Sequence, residues 1–216
     1  MLCRHWSSTV LLLLLVSMFD CGCDPTPRAP QSNLEYRDFG IPSALTEWPL
    51  IPATQLQFKA WRCFTDPGSV KDLEVRLQFR FPREFIEQCR KCNGGVLSGL
   101  LVFNAPECRG LVIDRFLGFG DPSPGAGPFN DDIITVAIAG NACFLSGSLS
   151  SYIPFAHVSD SIGEEEQQNA WNGEGFLAFQ KSDGSVNLVS PSRGKAVHVA
   201  ADFASFLKNA AYLCRE

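Results

Sequence analysis

Helical periodicity at both ends of a strand-rich middle predicts an α+β domain. Apolar residues recur at helical spacing between 69 and 92, and Leu-, Val- and Phe-rich runs broken by turn residues follow from 96. Phe203, Phe206, Leu207, Ala210 and Cys214 then recur at i, i+3, i+4, i+7 and i+11, which defines a closing helix. With 216 residues, 45% of them hydrophobic, the chain has room for a leader and one packed domain.

The leader comes first. Arg4 and His5 precede an apolar run from Val10 to Phe19, then Asp20-Cys21-Gly22-Cys23, the layout of a cleaved export signal. The run is about half the length that spans a bilayer. Gly22-Cys23 resembles a bacterial lipoprotein cleavage site, with Cys23 as the lipid-attachment residue, although Asp20 departs from the usual Leu or Val. Three segments are expected: a signal peptide over 1–22, a Pro-rich polar tether over 23–54 docked by Tyr36, Phe39 and Trp48, and one domain over 55–216. The chain is read as exported, membrane-attached through its N-terminus or periplasmic or secreted, with the cytoplasm as the alternative if the leader does not function.

Within the domain, Leu56, Ala60 and Cys63 share a helical side, which predicts a short helix over 55–64. Ser69-Val70-Lys71-Asp72 has the form of a capping box, and Val70, Leu73 and Leu77 then share one face. Phe81-Pro82 ends that helix, and Pro82 is placed as the first residue of the next. Phe85, Ile86, Cys89 and Cys92 form its apolar side, and Asn93-Gly94-Gly95 stops it, since Asn and Gly enter the left-handed conformation of a helix C-cap cheaply. Strands are expected at 96–103 and 110–117, followed by a Pro/Gly-rich loop over 121–128. The segment 132–139 suits a strand by β-branching and a short helix by its setting between loops. Segments 175–181 and 185–189 flank Asp183-Gly184, which predicts a tight hairpin.

Charge and motifs narrow the chemistry. The net charge of −5, without a clustered Lys/Arg surface, argues against nucleic-acid binding and for basic partners. Cleavage before Cys23 leaves Cys63, Cys89, Cys92, Cys108, Cys143 and Cys214 beside it, and their pairing is open. Cys89 and Cys92 fall on an apolar helix side, where core packing or a disulfide suits them better than a zinc or redox site. Ser192-Arg-Gly-Lys195 matches Ser-x-x-Lys but lies in a loop, and Gly118-Phe-Gly120 reads as a turn. His157 and His198 lie between apolar neighbours, outside any nucleophile motif. Neither a cofactor nor a metal is expected. The run Glu164-Glu165-Glu166 reads as a solvated loop or as an acidic rim for a basic partner.

The series Ser69, Glu74, Leu77, Phe81-Pro82, Phe85, Asn93-Gly94-Gly95 resembles the opening signature of the SUKH superfamily, the Smi/Knr-like immunity proteins. Ile153-Pro154-Phe155-Ala156 is similar to that family's Ile-Pro-Phe-Ala strand. Val199-Ala200-Ala201-Asp202-Phe203-x-x-Phe206-Leu207 is similar to its closing helix. Phe81 stands for the usual Leu and Asp202 for the common Ser, and Ile162-Gly163 with the glutamate run replaces a Gly-Asn or Gly-Asp element.

The resemblance implies helices packed on a mainly antiparallel sheet and a non-catalytic protein that binds and neutralises a cognate bacterial toxin. It makes Glu74, Pro82, Asn93, Gly94, Gly95, Pro154, Phe155, Phe203, Phe206 and Leu207 fold-specifying, and leaves partner choice to the loops. Asp160, Glu164, Glu165, Glu166 and Trp171 are the candidate partner-binding residues. Two other readings stand beside this one: an exported structural or regulatory envelope protein on the same scaffold, and a metal- or disulfide-dependent hydrolase.

Overall fold

A computed structural model describes residues 35–41, 45–61, 67–106, 108–119, 144, 147–161 and 175–214. The strands are β1 (Leu50–Pro52), β2 (Phe58–Trp61), β3 (Gly95–Ala105), β4 (Cys108–Phe116), β5 (Tyr152–Ser161), β6 (Gly175–Gln180), β7 (Val186–Ser190), β8 (Lys195–Ala200) and β9 (Ala211–Leu213). The helices are α1 (Pro67–Leu77), α2 (Arg83–Lys91) and α3 (Phe203–Asn209). Among the described residues the strands form one antiparallel sheet in the order β1-β9-β3-β4-β5-β6-β7-β8, with β2 beside the start of β3. The fold is α+β, as the order of elements predicts.

Alternation along the strands gives the sheet two covered faces. Leu101, Phe103, Ile113, Phe155, Leu177, Phe179, Val186 and Leu188 point to the helical face, where they meet Leu73 and Leu77 of α1, Phe85 and Cys89 of α2, and Phe203 and Phe206 of α3. The opposite face carries Val102, Ala211 and Leu213 under Phe39, Ile41, Leu45 and Trp48, and Ala178 and Val189 under Phe144 and Leu149. Tyr36, Phe39 and Trp48 thus dock as expected, and the Tyr36 hydroxyl bonds the Trp48 carbonyl at 2.8 Å. The folded unit nevertheless begins before residue 55, since Leu50–Pro52 is a strand of the sheet.

Several local expectations are corrected. The helix expected over 55–64 is replaced by a short 3-10 turn over Ala53–Gln55 and by β2. Leu56 and Phe58 alternate with exposed Gln57 and Lys59, and β3 offers an edge that such a period-2 segment can pair with. Helix α1 starts at Pro67, so Ser69 lies inside the first turn instead of capping it; Pro67 has no N–H to leave unpaired there. Pro82 is the N-cap of α2, one residue before the helix, with its carbonyl accepting the first helical bond from Ile86 at 3.1 Å. The Asp183-Gly184 hairpin is wider than a two-residue turn: Gln180 N bonds Ser185 O at 2.9 Å, only Gly184 has positive φ, and the Asp183 carboxylate accepts from Ser185 N. Cys214 is not on the closing helix, because α3 ends at Asn209 and the buried Ala211–Leu213 is drawn into the sheet between β1 and β3. The loop expected over 121–128 and the segment 132–139 lie outside the described residues.

Candidate functional site

The aromatic residues of the three motif stretches meet in one place. Phe85, Phe155 and Phe203 come from three distant stretches, yet their rings lie 5.4–5.6 Å apart in mutual edge-on contact. Phe206 closes on Phe155 at 6.4 Å, and Phe179 stacks on Phe155 at 4.3 Å. Such pairs add about 0.5–1.5 kcal/mol each beyond their area. Pro154 sits beside a register shift, before the first β5 residue that pairs with β4, a position where a missing N–H is tolerated.

Glu74 organises the corner between α1 and α2. Its backbone carbonyl accepts from Phe79 N at 3.0 Å, and its carboxylate accepts from Phe81 N at 3.0 Å. With Gln78 N bonded to Val75 O at 3.3 Å, this is a Schellman ending whose left-handed position is occupied by Gln78, φ 53°, where glycine is usual. Phe79 and Phe81 are thereby turned into the aromatic core.

Asn93-Gly94-Gly95 does more than stop α2. The helix is already capped at Cys92, in an extended conformation, and the positive φ values fall on Gly94 (74°) and Gly95 (129°). Asn93 is therefore not the left-handed cap residue. Its buried amide accepts from Phe119 N at 2.7 Å and donates to Phe119 O at 2.6 Å. One side chain thus substitutes for a strand partner and holds the segment after β4. Gly94 permits this approach, since a Cβ there would lie 2.5 Å from the Gly118 backbone nitrogen. Gly118-Phe119 is the feature that the sequence hides; its only trace is the Gly118-Phe-Gly120 turn.

The turns are divided between the two ends of the sheet. Leu111 pairs with Ser161, Val158 with Gly175 and Ser190 with Lys195. The connections between β3 and β4, β5 and β6, and β7 and β8 therefore start and return at one end, opposite the Asn93 clamp. Arg109, Arg193 and Lys195 are exposed at that end. Asp160 belongs to β5, in register with Val112. Glu164, Glu165, Glu166 and Trp171 lie outside the described residues, as does Cys23.

The remaining candidates are spread across the fold. His157 on β5 makes an edge-on ring contact with Phe176 of β6 at 5.5 Å, while His198 is exposed on β8. Cys89 is a free, buried thiol whose pKa is pushed well up by burial and then by the neighbouring Cys92. Ser192 and Lys195 sit in the turn before β8 and at its first residue, with the Ser192 hydroxyl 3.3 Å from that of Ser190. Among the described residues no three His, Cys, Asp or Glu side chains gather as a metal site. One surface feature was not anticipated: an open depression of about 640 Å³ along α1, lined by Lys71, Glu74, Val75, Gln78, Phe79 and Arg80, with Val75 77% exposed.

Comparisons with protein-family models, curated proteins and solved structures return no match for this chain.

Proposed function

We propose that this chain is a non-catalytic protein-binding domain of the SUKH type, an immunity protein that binds and neutralises a cognate toxin domain. The observation that carries this reading is the convergence of the three motif stretches on the Phe85–Phe155–Phe203 cluster. Residues that resemble a family signature support it more strongly when they serve one core than when they are scattered. The motif's polar members are occupied by the fold: Glu74 with the Phe81 amide, and Asn93 with Phe119. Recognition then falls to the loops, and the β5–β6 connection carries the acidic run Glu164-Glu165-Glu166 and Trp171.

In this reading the carboxylates steer a basic partner to the loop end of the sheet and Trp171 supplies an apolar anchor. Neutralising the run with Glu164→Gln, Glu165→Gln and Glu166→Gln is expected to slow association by about 10-fold at low salt and to flatten its salt dependence. Unchanged association kinetics would remove this surface from the proposal.

A further inference from the structure

We infer that Asn93 is a deamidation site that the fold holds closed, so that a chain left unfolded for long enough loses the clamp: its aspartyl product returns to a native state of lower stability at neutral pH, and its isoaspartyl product does not return. Asn followed by Gly is the dipeptide in which the next backbone nitrogen is least hindered from attacking the side-chain amide. The Gly94 nitrogen bonds to Cγ of Asn93, the Cγ–Nδ2 bond breaks, and Nδ2 leaves as ammonia with the proton lost by Gly94. Water then opens the cyclic imide at either carbonyl, giving an aspartyl or isoaspartyl residue in place of Asn93. One water enters, one ammonia leaves, and nothing is oxidised or reduced.

In the folded chain every participant is held. Nδ2 donates to Phe119 O at 2.6 Å, Oδ1 accepts from Phe119 N at 2.7 Å, and the Gly94 N–H donates to Cys92 O at 2.9 Å. Asn93 is only 3% exposed, which keeps out water and base. The Gly94 and Gly118 backbones touch, so the turn has no room to swing into the attacking geometry. Neither product serves the place at neutral pH as Asn93 does. Aspartate lacks the donor that Phe119 O requires, and isoaspartate inserts an extra carbon into the main chain where the two glycine backbones meet. The inference rests on the clamp alone and is independent of the proposed toxin partner.

The test uses the full chain, kept either folded or in concentrated guanidinium at the same pH and temperature, with peptide mapping by mass spectrometry over time. Asn172-Gly173 is the chain's other Asn-Gly pair and serves as the internal reference in the unfolded sample. Asn93 and Asn172 are expected to convert at similar rates in guanidinium, and Asn93 at least about 100-fold more slowly in the folded chain, since reaction there requires local opening. After dilution at neutral pH, molecules converted to isoaspartate at Asn93 should collect in the fraction that does not refold, those converted to aspartate there should refold with a lowered guanidinium midpoint, and those converted only at Asn172 should refold as the unconverted chain does. Conversion of Asn93 in the folded chain within a few-fold of its unfolded rate, or recovery in the folded fraction of molecules converted to isoaspartate at Asn93, would overturn the inference.

Discussion

The substitution Asn93→Asp changes one atom of the clamp and makes its contribution depend on pH. The introduced carboxyl can still accept from Phe119 N, but its second oxygen now faces the Phe119 carbonyl, which Nδ2 of Asn93 approaches at 2.6 Å. Two acceptors cannot share that contact unless the carboxyl is protonated and donates. Burial acts in the same direction, because Asn93 is nearly inaccessible and the charged form would lose its water. Together these hold the folded-state pKa of the introduced carboxyl well above that of an unfolded Asp. Below about pH 4 both states are protonated and the variant is close to wild type. As pH rises, the unfolded state ionises first and stability falls by about 1.4 kcal/mol per pH unit, levelling off above the folded pKa. Guanidinium unfolding of both proteins from acid to neutral pH reads this directly as the difference in midpoint, with the m-value as a control. A difference that stays constant with pH, or narrows toward neutrality, would refute the clamp as the source of the effect.

Gln78→Gly should raise stability by about 0.5–1 kcal/mol, because Gln78 is held at φ 53° where a side chain is disfavoured; an unchanged or lower unfolding midpoint would contradict this. Cys89 should resist alkylation in the folded protein at mildly alkaline pH and react fully once unfolded, since burial keeps it a neutral thiol; rapid labelling of the native protein would show that the site opens. Asp202 caps α3 by accepting from Ser205 N at 2.6 Å, chiefly the bond that lowers its pKa. Its stabilisation is therefore present above the unfolded Asp pKa and lost as pH falls through the lower folded one, so Asp202→Ala should lower Tm at neutral pH and not in strong acid. An equal loss at all pH values would argue against the cap.

What the sequence revealed and what it hid divide along the range of the interactions. Helix α2 and strands β3 and β4 were legible because their apolar periods, Pro82 and the glycines after Cys92 are local signals. Strand β9 was not, because Ala211-Tyr212-Leu213 continues the helical period of α3 and becomes a strand only between β1 and β3. Strand β2 was hidden in the same way: Leu56 and Phe58 satisfy two periodicities, and pairing with β3 selects one. The motif positions were recognisable, but their tasks were not. The partner of Asn93 lies 26 positions away, and Glu74 reaches across the corner to the Phe81 amide, so neither bond leaves a mark in spacing. The acidic run was visible as charge, and the topology adds that the strands on either side of it, β5 and β6, are antiparallel neighbours whose facing ends lie opposite the clamp.

The proposed role is tested most directly by expressing the product of the reading frame next to this gene, measuring its toxic activity, and titrating that activity with the full chain. A binding protein that neutralises by occupation predicts a linear loss that is complete at an equimolar ratio, with active toxin recovered when the complex is taken apart. Complete inactivation by a small fraction of an equivalent, or no inhibition at a large excess, would contradict it.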